Sequence, residues 1–276
     1  MLGHKAFKLL TLNDKNEVYG TLRSENDIKK YFSESKYCRN IFSGIDALNT
    51  NSVLALIDEL TPDLVLNCIG IIKQLKESQN PLLSIEINSL FPHKLATHLE
   101  GSKTRLIHIS TDCVFSGEKG NYLETDYSDA KDLYGKTKFL GELTSYKNSI
   151  TLRTSIIGPE LKSKVSLLEW FLGQKRAVDG YTNAIYSGFT TTELTKIIEN
   201  YIIPNPKFYG LYNVSSPSIS KYELLKTISE VYGKEIIIKP YNEFKNNKSL
   251  NCDKFMSDFK FKQKPWGQMV LEMQSS

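Results

Sequence analysis

The chain has 276 residues, of which 40% are hydrophobic and 24% charged, and it carries a net charge of +4. This composition is typical of a folded globular protein with one large domain or two small ones. No apolar run approaches the roughly 20 residues of a membrane-spanning helix. The densest basic region, residues 234–264, lacks the regular spacing of a nucleic-acid-binding stripe. We therefore expect neither a membrane nor a nucleic acid as a partner.

Short apolar runs alternate with amphipathic stretches, a pattern typical of a doubly wound parallel sheet, the Rossmann-like α/β fold class. The predicted strands cover residues 17–22, 64–68, 106–110, 149–154 and 211–214. The predicted helices cover residues 3–12, 52–59, 88–99, 135–146, 167–172, 191–201 and 221–231.

The alternation loosens after about Gly158, which predicts a second, smaller unit. We expect residues 1–158, with 188–215 returning to them, to form a dinucleotide-binding domain. Residues 159–187 and 216–276 are interpreted as a small C-terminal substrate-binding cap. It would cover the carboxyl ends of the strands, where ligands bind in open parallel sheets.

The beginning of the chain departs from this fold, which normally starts with a strand, a glycine-rich turn and a helix. Met-Leu-Gly-His already reads as the start of a helix, so Gly3 is interpreted as the last glycine of the turn. The first strand and the earlier glycines are missing, and we expect the native protein to begin upstream of Met1. Arg23 follows the next predicted strand, where a basic residue accommodates a 2′-phosphate. Alternatively, Gly3 is a flexible terminal glycine and Arg23 is a surface charge. The spacing between the two residues favours a functional role for both.

The segment from Ser110 to Phe115, Ser-Thr-Asp-Cys-Val-Phe, follows an apolar run, and Tyr-Gly-Lys-Thr-Lys begins at Tyr134. On a helix, Tyr134 and Lys138 lie one turn apart on the same face. A strand-end hydroxyl with Tyr and Lys on the next helix suits protonation of a carbonyl oxygen while hydride arrives from a nicotinamide. We expect Lys138 to lower the pKa of Tyr134 from about 10. Thr111 would hold the substrate oxygen.

Tyr-x-x-x-Lys also occurs at three other places, so the motif alone is weak. Tyr127 and Tyr241 are predicted to lie in loops or on the surface, and Tyr222 with Lys226 is predicted to be an ordinary surface pair. Only Tyr134 follows a strand-end threonine and opens a helix, which favours the catalytic interpretation for that pair.

Seven strings in order resemble the extended short-chain dehydrogenase/reductase family, and within it the dTDP-4-dehydrorhamnose reductases. They are MLGH, LVLNCIG, INSLFPHKLA, HISTDCVFSG, YLETD, DLYGKTKFLGE and LRTSIIG. The resemblance covers residues 1–214 and implies a catalytic triad of Thr111, Tyr134 and Lys138. For the cofactor it implies, besides Tyr134, Lys138 and Arg23, the residues Leu2, Gly3, Asp46, Cys68, Ile69, Gly70 and Asn88.

Two departures fall in the expected sugar site. The family shows Trp after Arg-Thr-Ser, where this chain has Ile156, and residues 183–190 replace its Asp-Gln-x-Gly-x-Pro-Thr segment. Asp112 and Asn183 are the expected polar substrate contacts. Trp170 is a candidate for the missing ring, although neighbouring aromatic residues on a helix more often belong to the core.

The resemblance implies NAD(P)H-dependent reduction of the 4-keto group of a nucleotide-linked 6-deoxyhexose, with dTDP-4-dehydrorhamnose as first choice. We expect NADPH as the cofactor because of Arg23, with NADH as the alternative. One alternative is a sugar-nucleotide epimerase or dehydratase, although Asp112-Cys113 supplies only one of the acidic residues that dehydratases place after the threonine. The other is a non-catalytic binding subunit. A homodimer is left open.

The four cysteines, Cys38, Cys68, Cys113 and Cys252, lie far apart with no C-x-x-C pair, and the four histidines form no ligand pattern. We therefore expect no metal site and no disulfide framework, and a cytoplasmic location.

Overall fold

The computed structural model describes residues 1–162 and 164–276, so one position of the predicted cap, residue 163, lies outside it. The helices are α1 (Leu2–Leu10), α2 (Glu25–Tyr31), α3 (Ser35–Cys38), α4 (Thr50–Leu60), α5 (Pro81–Ile85), α6 (Phe91–His98), α7 (Leu133–Leu140), α8 (Leu167–Gly173), α9 (Thr191–Ile197), α10 (Lys221–Tyr232), α11 (Asp253–Phe259) and α12 (Trp266–Gln274). The strands are β1 (Gly20–Thr21), β2 (Ile41–Phe42), β3 (Leu64–Asn67), β4 (Arg105–Thr111), β5 (Ser149–Thr154), β6 (Ile156–Ile157), β7 (Val178–Tyr186), β8 (Phe189–Thr190), β9 (Gly210–Asn213), β10 (Ile219–Ser220) and β11 (Ile238–Asn247).

The central sheet is parallel, in the order β3-β4-β5-β9. Because side chains alternate along a strand, β4 sends Leu106 into one core with Phe91 and Leu95 of α6. Its next residue, Ile107, enters a second core with Leu194 of α9. Helices therefore cover both faces of the sheet, and the predicted doubly wound α/β fold is confirmed.

Strands β1 and β2 pair with each other in parallel as a separate two-stranded sheet. In the described part of the chain, no strand joins β1 to β3. The predicted strand 17–22 is reduced to Gly20–Thr21, and β2 was not predicted because two residues are too few to show alternation.

A three-stranded sheet, in the order β10-β7-β11, lies in the region predicted as the cap. Tyr241 was predicted to lie in a loop or on the surface. It is 36% exposed but lies in a strand, β11, where it pairs with Tyr181 of β7. The rings of Tyr181 and Tyr241 are 5.5 Å apart, and Phe244 packs on the first of them. Pro240 is compatible with this strand because β11 is at the edge of the sheet. The division into two domains stays a prediction.

Helix α7 is shorter than the predicted helix 135–146. It ends at Leu140 because Gly141 packs against the chain at Asn88, where a Cβ atom on Gly141 would lie 1.9 Å from the carbonyl oxygen. The predicted helix 88–99 is also interrupted, since residues Glu86–Leu90 form a π-helical turn before α6. This turn brings Asn88 to α7.

Gly141→Ala should lower the free energy of unfolding by about 1–3 kcal/mol, the usual cost of overpacking a core. Denaturant unfolding measures this change. Gly173→Ala is the matched control, because no atom lies within 4 Å of the Cβ it would add at the end of α8. Similar stabilities of the two variants would contradict the close contact.

No helix within the described residues is both long enough and apolar enough to cross a bilayer.

Candidate active site

Thr111 is the last residue of β4 and lies at the carboxyl edge of the central sheet. Its hydroxyl accepts a hydrogen bond from the backbone N–H of Cys113 at 3.1 Å and donates to Asp112 at 3.2 Å. The side chain is 7% exposed. Thr111 is therefore held in one orientation at the point where parallel sheets bind ligands.

Tyr134 lies in the first turn of α7, directly beside this strand end. Asp132 caps the helix by accepting from the backbone N–H of Gly135 at 2.8 Å, and Lys73 pairs with the same carboxylate at 2.7 Å. Gly135 allows the close approach, because a Cβ there would lie 2.2 Å from the carbonyl oxygen of Cys113. As a result the Tyr134 hydroxyl lies beside the Thr111 side chain.

Lys138 follows one turn later and is buried, with 4% exposure. Its ammonium donates to the carbonyl oxygen of Ile109 at 2.7 Å, and Nζ lies 3.5 Å from Nε2 of His108. Burial lowers the pKa of Lys138 to about 8, against the opposing effects of Glu142 and Cys68. The predicted triad of Thr111, Tyr134 and Lys138 is thus brought together at one strand end.

The expected lowering of the Tyr134 pKa is not found. Burial raises the pKa of Tyr134, and the nearby Cys113, Asp112 and Asp132 act in the same direction, opposed by the Thr111 hydroxyl. Lys138 points towards Ile109 and His108 instead of the phenol. The phenol is therefore held in its protonated form, which is the form that can donate a proton.

Asn88 connects the triad to the loop after β3. Its Oδ1 accepts from the backbone N–H of Ile71 at 2.8 Å, and its Nδ2 donates to the Ile71 carbonyl at 3.1 Å and to Thr137 at 3.2 Å. It is 1% exposed. Gly70 fits between Asn88 and Lys138, since a Cβ on Gly70 would lie 3.4 Å from Asn88 Oδ1 and 4.0 Å from Lys138 Nζ.

The amino end of α1 meets the same loop, because a Cβ on Gly3 would lie 3.4 Å from the Cβ of Cys68. The first turn of α1 has no side-chain cap, and Nδ1 of His4 is buried without a hydrogen-bond partner. Uncapped N–H groups at a helix start suit a phosphate. The side chain of Leu2 is buried in the core, which leaves its backbone for such a contact.

The remaining cofactor candidates lie at the ends of β1 and β2. Arg23 is exposed, and Asp46 is half-buried with its carboxylate accepting from the backbone N–H of Leu48 at 3.0 Å. The backbone N–H of Ile45 donates to the Leu22 carbonyl at 3.2 Å, which places the two segments side by side. Ile69 is 38% exposed next to Gly70.

The expected substrate residues do not all converge. Asp112 is buried beside the triad, and burial raises the pKa of its carboxyl, opposed mainly by Lys248. Asn183 is exposed on β7 and donates to the Asn242 carbonyl at 2.7 Å, so it holds β11 in place. Trp170 is 39% exposed, whereas Phe171 beside it is buried in the core.

Tyr186, which was not singled out from the sequence, is the last residue of β7 and lies in the neighbourhood of Asp112, beside the triad. Its hydroxyl is buried without a hydrogen bond of good geometry, next to Ser155 and within electrostatic reach of Asp112 and Cys113. The ring packs on Trp266 at 5.5 Å. The sequence offered one signal for this residue, because Tyr186 lies within residues 183–190, which replace the family's Asp-Gln-x-Gly-x-Pro-Thr segment.

Glu142 and Arg153 form a buried ion pair behind the triad, which was also missed. Arg153 donates from Nε and Nη2 to the two carboxylate oxygens, each at 2.7 Å, and Ser110 donates to the same carboxylate at 2.7 Å. Both side chains are 2% exposed. The pair joins β4, β5 and the end of α7.

Among the described residues, no group of His, Cys, Asp and Glu could hold a metal ion.

The model of the RmlD substrate binding domain family matches residues 12–167, more than half of the chain. The chain belongs to this family. A dTDP-4-dehydrorhamnose reductase from Aggregatibacter actinomycetemcomitans is 29% identical over 194 residues, which cover 66% of this chain and 65% of that protein. Methionine adenosyltransferase 2 subunit beta from Xenopus tropicalis is 31% identical over 205 residues, covering 69% of this chain and 61% of that protein. This RmlD-family chain thus aligns with less than two thirds of either relative.

A crystal structure of dTDP-4-dehydrorhamnose reductase from Bacillus anthracis, in complex with NADP, superimposes with a TM-score of 0.73 at 19% identity. The superposition covers 93% of this chain and 98% of that one. At this identity the likeness shows the fold, which agrees with the parallel sheet and its two helical layers.

Proposed function

We propose that this RmlD-family protein is an NAD(P)H-dependent reductase of the 4-keto group of a nucleotide-linked 6-deoxyhexose. The first-choice reaction is dTDP-4-dehydrorhamnose to dTDP-L-rhamnose. The observation that carries the proposal is the convergence of Thr111, Tyr134 and Lys138 at the carboxyl end of β4. The reductase relative supports the choice of substrate.

The residues around this site suit a dinucleotide cofactor. The backbone of Leu2 and Gly3 at the start of α1 would bind the pyrophosphate, and Cys68, Ile69 and Gly70 would line the adenosine side with Asp46. Tyr134, Lys138 and Asn88 would border the nicotinamide ribose. When bound, the reduced nicotinamide supplies the hydride that reaches C4 of the sugar.

The chain's own residues perform the remaining steps. With substrate bound, the single hydroxyl hydrogen of Thr111 would turn from Asp112 to the substrate carbonyl oxygen and hold that oxygen in reach of α7. Tyr134, whose burial keeps it protonated, donates its proton to that oxygen as negative charge develops. Lys138, when charged, stabilises the phenolate that remains.

The sugar would lie between the triad and the cap. Tyr186 is the candidate ring in place of the tryptophan that Ile156 replaces, and its buried hydroxyl lacks a protein partner of good geometry. A sugar hydroxyl or an N-acetyl group can fill that role, because buried hydroxyls are nearly always hydrogen-bonded. Lys248 and Lys221, which act electrostatically on Asp112, are candidates for holding the diphosphate.

The direct test is NADPH consumption with dTDP-4-dehydrorhamnose and with UDP-linked N-acetylated 4-ketosugars. We expect stoichiometric loss of NADPH absorbance with the dTDP sugar. A clear preference for the UDP sugars would overturn the rhamnose assignment and retain the reductase. An epimerase or dehydratase would regenerate its cofactor and show no net consumption.

A binding subunit is the second candidate, because one relative at 31% identity is a methionine adenosyltransferase subunit beta. An intact triad does not by itself require turnover. Cofactor binding by calorimetry, combined with no turnover of any 4-ketosugar, would favour this candidate.

Arg23→Ala should lower kcat/KM with NADPH and leave that with NADH nearly unchanged, because the guanidinium would bind the 2′-phosphate. Steady-state kinetics with both cofactors measures the ratio. Arg39→Ala is a control for loss of a nearby exposed positive charge. An unchanged ratio in Arg23→Ala excludes this role and leaves the cofactor preference open.

We also propose a cytoplasmic location, since Cys68, Cys113 and Cys252 are thiols that suit a reducing compartment. The homodimer stays a prediction, which sedimentation equilibrium tests.

A further inference from the structure

A buried histidine lies behind the catalytic lysine. His108 is on β4, three residues before Thr111, and is 0% exposed. It pairs in register with Asn67 of β3, and Asn67 Nδ2 lies 3.1 Å from His108 Nδ1. The other ring nitrogen, Nε2, lies 3.5 Å from Lys138 Nζ. The imidazole therefore stands directly between a buried amide and the catalytic ammonium.

The orientation of the Asn67 amide determines which ring nitrogen carries the proton. The backbone N–H of Ile69 donates to Asn67 Oδ1 at 3.0 Å, so the oxygen faces Ile69 and the NH₂ group faces the histidine. An amide nitrogen only donates, which makes Nδ1 of His108 the acceptor. A neutral imidazole has a single N–H, so the proton lies on Nε2.

Burial keeps this ring neutral. The pKa of His108 is lowered well below its usual value, first by burial and then by the charges of Lys138 and His93. The Nε2–H group consequently points at the Lys138 side chain. A neutral amine can accept this hydrogen bond, whereas an ammonium has no lone pair and is repelled by it.

We propose that His108 is a positioning residue that acts through Lys138. Its tautomer, set by Asn67, weakens the hold of Lys138 on its proton, so that loss of the Lys138 charge limits the reaction at alkaline pH. This inference rests on the proposed reductase function for its kinetic consequence, but the tautomer itself does not depend on that function.

Other groups also surround Lys138. Glu142, beyond the end of α7, and Cys68, in the loop after β3, both raise the pKa of Lys138, while burial lowers it to about 8. Tyr134 lies one turn away on the same helix and stays protonated. The backbone carbonyl of Ile109 accepts from the ammonium. His108 differs from these groups in presenting its Nε2–H to Lys138, 3.5 Å from Nζ.

The charge of Lys138 determines the direction of the pH effect. The cationic fraction of Lys138 is high below a pH of about 8 and falls above it, so the rate should decline on the alkaline side. In His108→Gln the amide oxygen can face Lys138 and accept from it. The alkaline limb of the pH–rate profile should then move to higher pH by about half to one unit, the size expected from one gained hydrogen bond.

The tautomer is measured in the wild-type protein by ¹⁵N–¹H correlation spectra of ¹⁵N-histidine-labelled samples, with the His108 signal assigned by its loss in His108→Gln. We expect a neutral Nε2–H ring from neutral to alkaline pH. An Nδ1–H tautomer or an imidazolium would overturn the proposal, whether or not the protein turns over a ketosugar.

The coupling is measured by the pH dependence of kcat/KM for NADPH-dependent reduction in His108→Gln. His98→Gln is the matched control, because His98 pairs with Asp58 at 2.7 Å at the surface and does not contact Lys138. We expect the limb to move in His108→Gln alone. An equal loss of rate at every pH, with no movement of the limb, would show a purely structural role and overturn the coupling.

If no ketosugar is reduced, the proposed function fails. The ¹⁵Nζ titration of Lys138 then decides the coupling: a higher pKa in His108→Gln than in wild type supports it, and an equal pKa overturns it.

Discussion

Tyr134→Phe should lower kcat by about 10²–10⁴-fold, the usual contribution of a positioned proton donor. Phenylalanine keeps the ring packed at the start of α7 but removes the hydroxyl beside Thr111. NADPH affinity should stay nearly unchanged, because Gly3, Gly70 and Lys138 are untouched. Steady-state kinetics and calorimetry measure the two effects separately.

The chain supplies its own controls for this substitution. Tyr127 is 93% exposed, Tyr222 lies on α10 next to Lys226, and Tyr241 lies on β11. Each carries the same Tyr-x-x-x-Lys spacing outside the strand-end context. Their Phe variants should retain wild-type activity. Comparable losses in all four would mean that Tyr134 has a structural role and not a catalytic one.

Glu142→Ala should lower the free energy of unfolding by about 3–5 kcal/mol, because it leaves the Arg153 guanidinium buried and unpaired. The guanidinium also stacks 5.1 Å from the centre of the Phe115 ring, which keeps it in the interior. Since the pair connects β4, β5 and α7, activity should fall together with stability. Denaturant unfolding gives the free energy.

Glu118→Ala is the matched control, because Glu118 pairs with Lys131 at 2.6 Å on the surface, with both side chains more than 70% exposed. Its loss should cost about 0–1 kcal/mol. Replacing both members of the buried pair, as in Glu142→Leu with Arg153→Met, should recover part of the stability. If Glu142→Ala costs no more than Glu118→Ala, the buried pair does not stabilise the fold.

The strands of the central sheet could be predicted because each is a short run with apolar residues between loop segments. Strands β4 and β5 are almost wholly buried, and β3 is half-buried. Strand β5 has the predicted bounds, Ser149–Thr154, and β4 extends the prediction by one residue at each end. Strand β11 could not be recognised, since it is mostly exposed and polar and contains Pro240. Its pairing with β7 depends on contacts between distant parts of the chain. Helix α7 ends early for a similar reason, the tertiary contact of Gly141 with Asn88.

The same distinction applies to the site. Thr111, Tyr134 and Lys138 could be predicted because a strand end and one helical turn are local features. His108 was visible in the sequence, but its role depends on Asn67, 41 residues earlier, and on strand register. The pKa of Tyr134 was predicted in the wrong direction, because spacing shows that a lysine is near but not how deeply the phenol is buried.

In the proposed reaction, hydride passes from the nicotinamide to C4 of a nucleotide-linked 4-ketosugar. The most direct measurement uses NADPH carrying deuterium at the transferred position of C4, with dTDP-4-dehydrorhamnose as substrate and NMR of the sugar product. We expect one deuterium at C4 of the sugar for each NADPH oxidised, and incorporation that is slower by about 10²–10⁴-fold with Tyr134→Phe. A converted sugar without deuterium and without net oxidation of NADPH would contradict it.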